Sequence, residues 1–258
     1  MIKYKILNEF EKVDKEFIDK NKGIEIIGTA TTGLDHIDLK LCEKKNIKIV
    51  SLQDEREFLE NITSTAEHTI GLIIALFRNY KTIFKNPCKK REATTGHSLN
   101  NKTIGIIGYG RIGHMVDDFL NKDRGSLFGM NILYYEKKQK KEDLINLLRK
   151  SDVVSIHIPL ENNQGFFTID MFKMMKPSAY FVNTSRSKIV EDRALLYALN
   201  NNLIAGAGID FIDDKELVAY SMLNDNLILS NHQGGNTFED KKKTKEFIKQ
   251  KIKNICLK

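Results

Sequence analysis

Along most of this 258-residue chain, short continuous apolar runs alternate with stretches in which apolar residues recur every three or four positions. A run of four to six apolar residues between small or polar ones reads as a strand buried on both faces. The longer spacing reads as a helix covering it. On this pattern, strands are predicted at residues 24–29 and 47–52, with a helix at 39–45 between them. A second series predicts strands at 103–107, 130–135, 153–158, 179–183, 204–209 and 227–230. Helices are predicted at 112–120, 142–150, 169–175 and 191–200, and a basic amphipathic helix at 239–255. The stretch 65–84, TAEHTIGLIIALFRNYKTIF, is apolar around much of its circumference and predicts one helix buried between two layers. Ser64 and Thr65 ahead of Glu67 mark its start. Strands each followed by a helix imply an α/β fold built on a mainly parallel sheet.

Residues 86–101, with Pro87, Gly96 and many polar groups, predict a link between two units. The expected division is 1–85 plus 236–258 in one unit and 86–235 in the other. Hydrophobic residues make up 41% and charged residues 29% of the chain, the balance of an ordinary soluble globular protein. The longest apolar runs, such as 72–77, are too short to span a bilayer, and the charge-dotted N-terminus MIKYKILNEFEK lacks the apolar block of a secretory signal. Three cysteines, Cys42, Cys88 and Cys256, stand far apart without metal-ligand spacing, which predicts no metal centre and a reducing cytoplasm. The net charge of +7 comes from scattered lysines with clusters at 137–141 and 241–245. Without interleaved aromatics or a reading helix these predict solvated faces and a mild attraction for anionic ligands, not a nucleic-acid surface.

The chemistry begins at Gly108-Tyr109-Gly110-Arg111-Ile112-Gly113, a G-x-G-x-x-G between a predicted strand and a predicted helix. The first glycine allows a tight turn, and the second lets backbone approach a pyrophosphate. The third lets helix and strand pack closely, and the helix N-terminus faces the phosphate charge. Glu136, at the end of the next strand, suits the adenosine ribose hydroxyls and repels a 2′-phosphate, so NAD is the expected cofactor. Lys137 and Lys138 directly after it keep NADP open. The stretch NKDRGSLFG before that strand reads as a small insertion.

From residue 27 almost to its end the chain resembles the D-isomer-specific 2-hydroxyacid dehydrogenases, the family that includes phosphoglycerate dehydrogenases. The matching blocks, in order, are GTATTGLDHIDL (28–39), TSTAEHTIGL (63–72), KTIGIIGYGRIG (102–113) and SDVVSIHIPL (151–160). They continue with MKPSAYFVNTSRSKIVED (175–192), IAGAGIDF (204–211) and NLILSNHQGGNT (226–237). The resemblance implies a Rossmann-type cofactor domain beside a smaller, flavodoxin-like substrate domain that is shortened at its N-terminus. It implies that Arg186 holds the substrate's carboxylate and carbonyl oxygen, and that His232 is the general acid/base, giving its proton to the ketone oxygen as hydride arrives. Thr32 and Gly33 match the loop whose backbone N–H groups grip the substrate carboxylate. Asp210 matches the contact to the nicotinamide carboxamide. His157, Ile158, Pro159, Thr184, Ser185 and Gly234 match segments lining the cofactor. His36, His68, His97 and His114 read as structural or exposed.

The chain departs from the family pattern where relatives carry a glutamate, normally followed by proline, that pairs with the histidine. Here the segment is IDFIDDKELVAY (209–220). Strict counting puts Lys215 at that place, between Asp214 and Glu216, and a one-residue shift puts Glu216 there; Glu216 is the expected residue. The expected function is NAD-dependent interconversion of a 2-keto acid and a D-2-hydroxy acid by a homodimer. The alternative is a non-catalytic NAD-binding regulatory or interaction protein on the same fold. The particular substrate is not legible.

Overall fold

In the computed structural model, which describes residues 3–8, 11–211 and 214–257, every named strand pairs with its neighbours in parallel. The chain runs β1 (Tyr4–Ile6), α1 (Lys15–Lys20), β2 (Ile26–Gly28), α2 (Leu39–Lys44), β3 (Lys48–Val50), α3 (Arg56–Leu59), α4 (Ser64–Phe77) and α5 (Tyr80–Lys85). It continues with β4 (Thr103–Ile107), α6 (Arg111–Leu120), β5 (Asn131–Tyr135), α7 (Lys141–Lys150), β6 (Val153–Ile156) and α8 (Ile169–Met174). Then come β7 (Tyr180–Asn183), α9 (Ala194–Asn200), β8 (Gly206–Ile209), α10 (Lys215–Leu223), β9 (Leu227–Leu229) and α11 (Phe238–Cys256). Two compact units divide it: Met1–Ile62 with Gly235–Lys258, and Thr63–Gly234. No helix among the described residues is long and apolar enough to cross a membrane.

The smaller unit holds a three-stranded sheet in the order β1-β2-β3. Ile27 points into a cluster with Leu7, Val13, Phe17, Ile18 and Cys42, while Ile26 and Val50 pack with Ile248 and Ile252 of α11. The buried positions of α11 are Asp240, Thr244, Ile248 and Ile252, one per helical turn, and the lysines occupy the remaining faces. Gly28 makes the close packing possible, since a Cβ there would lie 2.6 Å from Ile252 Cδ1. Burying Ile248 and Ile252 contributes about 1.5–3 kcal/mol each, which is why the end of the chain returns to its beginning.

The larger unit holds a six-stranded sheet in the order β5-β4-β6-β7-β8-β9. Successive strand residues bury on opposite faces. Ile104, Ile106, Val153, Tyr180 and Val182 join the core under α4 and α6, and Ile107, Val154, Ile156 and Phe181 join the core under α7, α8 and α9. The continuous apolar runs of the sequence follow from this two-sided burial. The sheet grows to one side from β4 to β5 and to the other from β4 to β6, so its strand order reverses there, and open α/β sheets bind ligands at such a point.

Four expectations need correction. The helix expected over 65–84 is two, because Asn79 adopts a left-handed φ of 53° and His97 N–H donates to the Phe77 carbonyl at 2.7 Å, the acceptor a continuing helix needs for residue 81. The unit boundary falls at 62/63 and 234/235, not at 85/86 and 235/236. Leu72 and Leu76 of α4 lie against Gly208 of β8, and Phe77 packs on Tyr180 with ring centroids 4.9 Å apart, so burial assigns α4 to the six-stranded sheet. The polar stretch 86–101 therefore lies inside the larger unit. Finally, Lys215–Leu223, a stretch to which the sequence pattern assigns no element, is a helix capped by Asp214, whose carboxylate accepts from Glu216 N (2.8 Å) and Leu217 N (3.2 Å).

Candidate active site

The cofactor motif occupies the turn from β4 into α6. Gly108 has φ 92°, and a Cβ there would stand 2.5 Å from the His157 carbonyl oxygen; one on Gly113 would stand 2.3 Å from the Gly108 carbonyl oxygen. The fold itself therefore requires these two glycines. Gly110 differs, for a Cβ on it would meet no atom within 4 Å. Its small size leaves open backbone at the N-terminus of ten-residue α6, the arrangement a dinucleotide pyrophosphate needs. The residues present thus fit the dinucleotide that the motif implies.

Tyr109, between those glycines, stacks on Tyr134 of β5 at 4.1 Å and lies 4.0 Å from the His114 ring. Its hydroxyl donates to the buried carboxylate of Asp117, and burial together with that charge pushes the phenol up to about 12. Asp117 also accepts from Asn121 Nδ2 (2.6 Å) and pairs with Arg124 (3.0 Å), which ties the inserted stretch after α6 to the helix. Glu136 directly follows β5 and is exposed. Its N–H donates to Gln139 Oε1 (2.6 Å), closing the turn that carries exposed Lys137 and Lys138.

His157 follows β6 with its Nε2 2.9 Å from Ser155 Oγ, and burial pushes its pKa down to about 4, so the ring is neutral near pH 7. Ile158 and Pro159 continue that loop. After β7, Thr184 Oγ1 lies 2.9 Å from Thr69 Oγ1 of α4, and Ser185 donates to the Ile156 carbonyl (2.9 Å). Arg186 is half-buried, its guanidinium donating to the Ser185 carbonyl at 2.9 Å.

After β8 and β9 the polar groups converge on one carboxylate. Asp210, 2% exposed, accepts from Ser230 Oγ (2.7 Å), Gln233 N (2.6 Å) and Gly234 N (2.7 Å), and His68 Nε2 lies 3.3 Å away. Burial opposes its ionisation, but donation from His68, Ser230, Gln233 and Gly234 prevails and holds the carboxyl below its ordinary range. The turn so fixed contains His232, a non-glycine residue in the left-handed region at φ 60°. Such a conformation is held by its surroundings, and here Asp210 grips the two backbone N–H groups that follow it.

Arg186, His232, Asp210, Gly234, Thr184, Ser185, His157 and the glycine turn thus all follow the C-terminal ends of strands in one sheet. Glu216 lies exposed in the first turn of α10 with Arg193 Nη2 3.3 Å from its carboxylate, and Asp214 is engaged as that helix's cap. Thr32 and Gly33 belong to the smaller unit, on the loop after β2, where Thr31 Oγ1 donates to the Gly33 carbonyl (2.9 Å). Sequence reading overlooked His68 and Ser230, which are joined across 162 positions by a 2.9 Å hydrogen bond. Only the TSTAEH block hinted at them.

Residues 70–234 match the family described as D-isomer specific 2-hydroxyacid dehydrogenase, NAD binding domain. A glyoxylate reductase from Thermofilum pendens is 31% identical over 267 residues, covering 94% of this chain and 75% of the relative. Among solved structures, D-lactate dehydrogenase from Aquifex aeolicus complexed with NAD and lactic acid has a TM-score of 0.77 at 26% identity, covering 98% of this chain and 83% of the other. NAD-dependent formate dehydrogenase from Staphylococcus aureus in complex with NAD has a TM-score of 0.79 at 27% identity, covering 98% and 78%.

Proposed function

The chain belongs to the D-isomer-specific 2-hydroxyacid dehydrogenases, and on that premise we propose that it reduces a small 2-keto acid of the class of glyoxylate, with Arg186 and His232 as its catalytic residues. It is an NAD-dependent oxidoreductase of the kind that interconverts 2-keto and D-2-hydroxy acids. The relatives named above are all enzymes by name, so the non-catalytic reading is set aside. The observation carrying the assignment is that Asp210, held ionised by four donors, fixes the turn that bears His232.

When bound, NADH supplies the hydride. The Arg186 guanidinium, always charged and planar, suits a carboxylate and an adjacent carbonyl oxygen and draws electron density from the carbon to be reduced. Protonated His232 donates to the carbonyl oxygen in reduction and takes the proton back in oxidation, a two-way role suited to an imidazole of unperturbed pKa near ~6.5. Thr32 and Gly33 are proposed as backbone donors to the substrate carboxylate, and Glu216 as the carboxylate supporting protonated His232. Glu136 is proposed to select NAD over NADP. We place the protein in the cytoplasm as a homodimer. The described cysteines are free thiols, in keeping with a reducing compartment, and sedimentation velocity tests the dimer.

The experiment is NADH oxidation, followed by absorbance, against glyoxylate, hydroxypyruvate, pyruvate, 2-ketoglutarate and bulkier 2-keto acids. Turnover that falls at least about 10³-fold in Arg186→Ala and His232→Ala, with calorimetric NADH binding retained, supports the assignment. NADH binding without turnover of any 2-keto acid overturns it. In Glu216→Gln, a tenfold loss of kcat with a lowered pKa in the kcat/KM profile supports the supporting role. An unchanged profile restricts Glu216 to its pairing with Arg193.

A further inference from the structure

The histidine on α4 has no part in the chemistry described above, yet it touches the group on which that chemistry depends. His68 Nε2 lies 2.9 Å from Ser230 Oγ and 3.3 Å from Asp210 Oδ1. Of the two acceptors before it, the Ile209 carbonyl at 3.4 Å and Asp210 Oδ1 at 2.7 Å, the nearer and charged Asp210 takes the single Ser230 proton, which leaves the hydroxyl a lone pair to accept with. The Asp210 carboxylate, ionised, only accepts. The network therefore assigns a proton to His68 Nε2, shared between the hydroxyl and the carboxylate.

Asp210 Oδ1 also accepts from Gln233 N at 2.6 Å, and Oδ2 from Gly234 N at 2.7 Å. Those are the two residues after His232, whose left-handed φ of 60° is sustained by this grip. Next to His68 on the helix, Thr69 is buried and meets Thr184 beyond β7, so α4 is anchored at this edge by two adjacent side chains. We propose that His68 is a positioning residue. Through Ser230 and Asp210 it fixes which way the Asp210 carboxylate faces, and the carboxylate in turn fixes the 232–234 turn that presents His232. The proposal rests on the catalytic reading of His232 for its effect on turnover, but not for its effect on the turn.

The test compares His68→Leu, which keeps bulk and removes the donor, with His68→Gln, whose amide N–H takes the place of Nε2–H. Turnover of the best 2-keto acid is measured with NADH, thermal unfolding controls for folding, and amide hydrogen exchange is followed in peptides covering 229–236 and 103–107. The expected result is a kcat lowered about tenfold or more in His68→Leu, with KM for the keto acid changed less than about threefold. Exchange quickens at 229–236 and not at 103–107, and His68→Gln restores both properties to within about threefold of the parent. Equal losses in the two variants, or unchanged exchange at 229–236 in His68→Leu, overturn the proposal. If the parent turns over no 2-keto acid, the dehydrogenase assignment fails while the exchange comparison still decides whether His68 holds the turn.

Discussion

Gly108 and Gly110 stand two positions apart and answer to different constraints. Gly108 needs a left-handed φ and space beside the His157 carbonyl, whereas Gly110 has room for a methyl group. Gly108→Ala is therefore expected to lower stability by about 2 kcal/mol or more, as for other strained left-handed positions. Gly110→Ala is expected to leave the melting temperature nearly unchanged and weaken NADH binding about tenfold; thermal unfolding and NADH titration separate the two. His157 yields a pH prediction. Its pKa is pushed down to about 4 in the folded chain by burial, against ~6.5 when unfolded. The unfolded chain thus binds the extra proton first, and the contribution of neutral His157 is complete above pH ~6.5 and lost as pH falls toward ~4, at most roughly 3 kcal/mol. Urea unfolding at pH 7 and pH 4.5 should show a smaller acid-induced loss in His157→Asn. At this scale the glycines were legible because their chemistry is local. His68 was not, since its meaning is a hydrogen bond to Ser230, 162 positions away.

Among the elements, β7 is buried at every position. Phe181 is fully buried with ring centroids 4.8 Å from Phe167 and 5.0 Å from Phe172, joining β7 to α8 and to the segment just before it. Phe181→Ala should cost about 3–5 kcal/mol by denaturant unfolding. NADH affinity per folded molecule should change far less, since the site's side chains lie beyond the strand ends. The strands of the six-stranded sheet were readable because two-sided burial leaves uninterrupted apolar runs. Helix ends were less so. The expected helix at 191–200 starts only at Ala194, because Arg193 takes a left-handed φ of 61° just before it, while Glu191 is held by the Phe167 carbonyl (2.9 Å) and by Ile169 N (3.1 Å). α10 escaped notice because a single residue, Leu217, is buried in it, so its apolar positions carry no period.

For the whole molecule, the formal charge of +7 faces anionic ligands, a dinucleotide and a carboxylate. Raising ionic strength from about 0.02 M to 0.2 M should slow NADH association several-fold, read by stopped-flow fluorescence, while dissociation changes less. The division into units is the property that local reading located least well. It depends on where α4 buries its apolar faces, against β7 and β8, and a helix apolar on most sides does not declare its partner in advance. The sequence by itself determined the α/β class, the strand succession from β2 onward, the dinucleotide turn and the family. Each is written in short-range patterns of apolar runs, glycine spacing and ordered motifs. Tertiary structure alone decided that β8 and β9 bring Asp210, Ser230 and the 232–234 turn together under His68. It also decided that α11, expected from the sequence to join the first unit, packs on β2 across Gly28. Those contacts join residues far apart in the chain, and their energy comes from burial and shared hydrogen bonds that exist only once the sheets have formed.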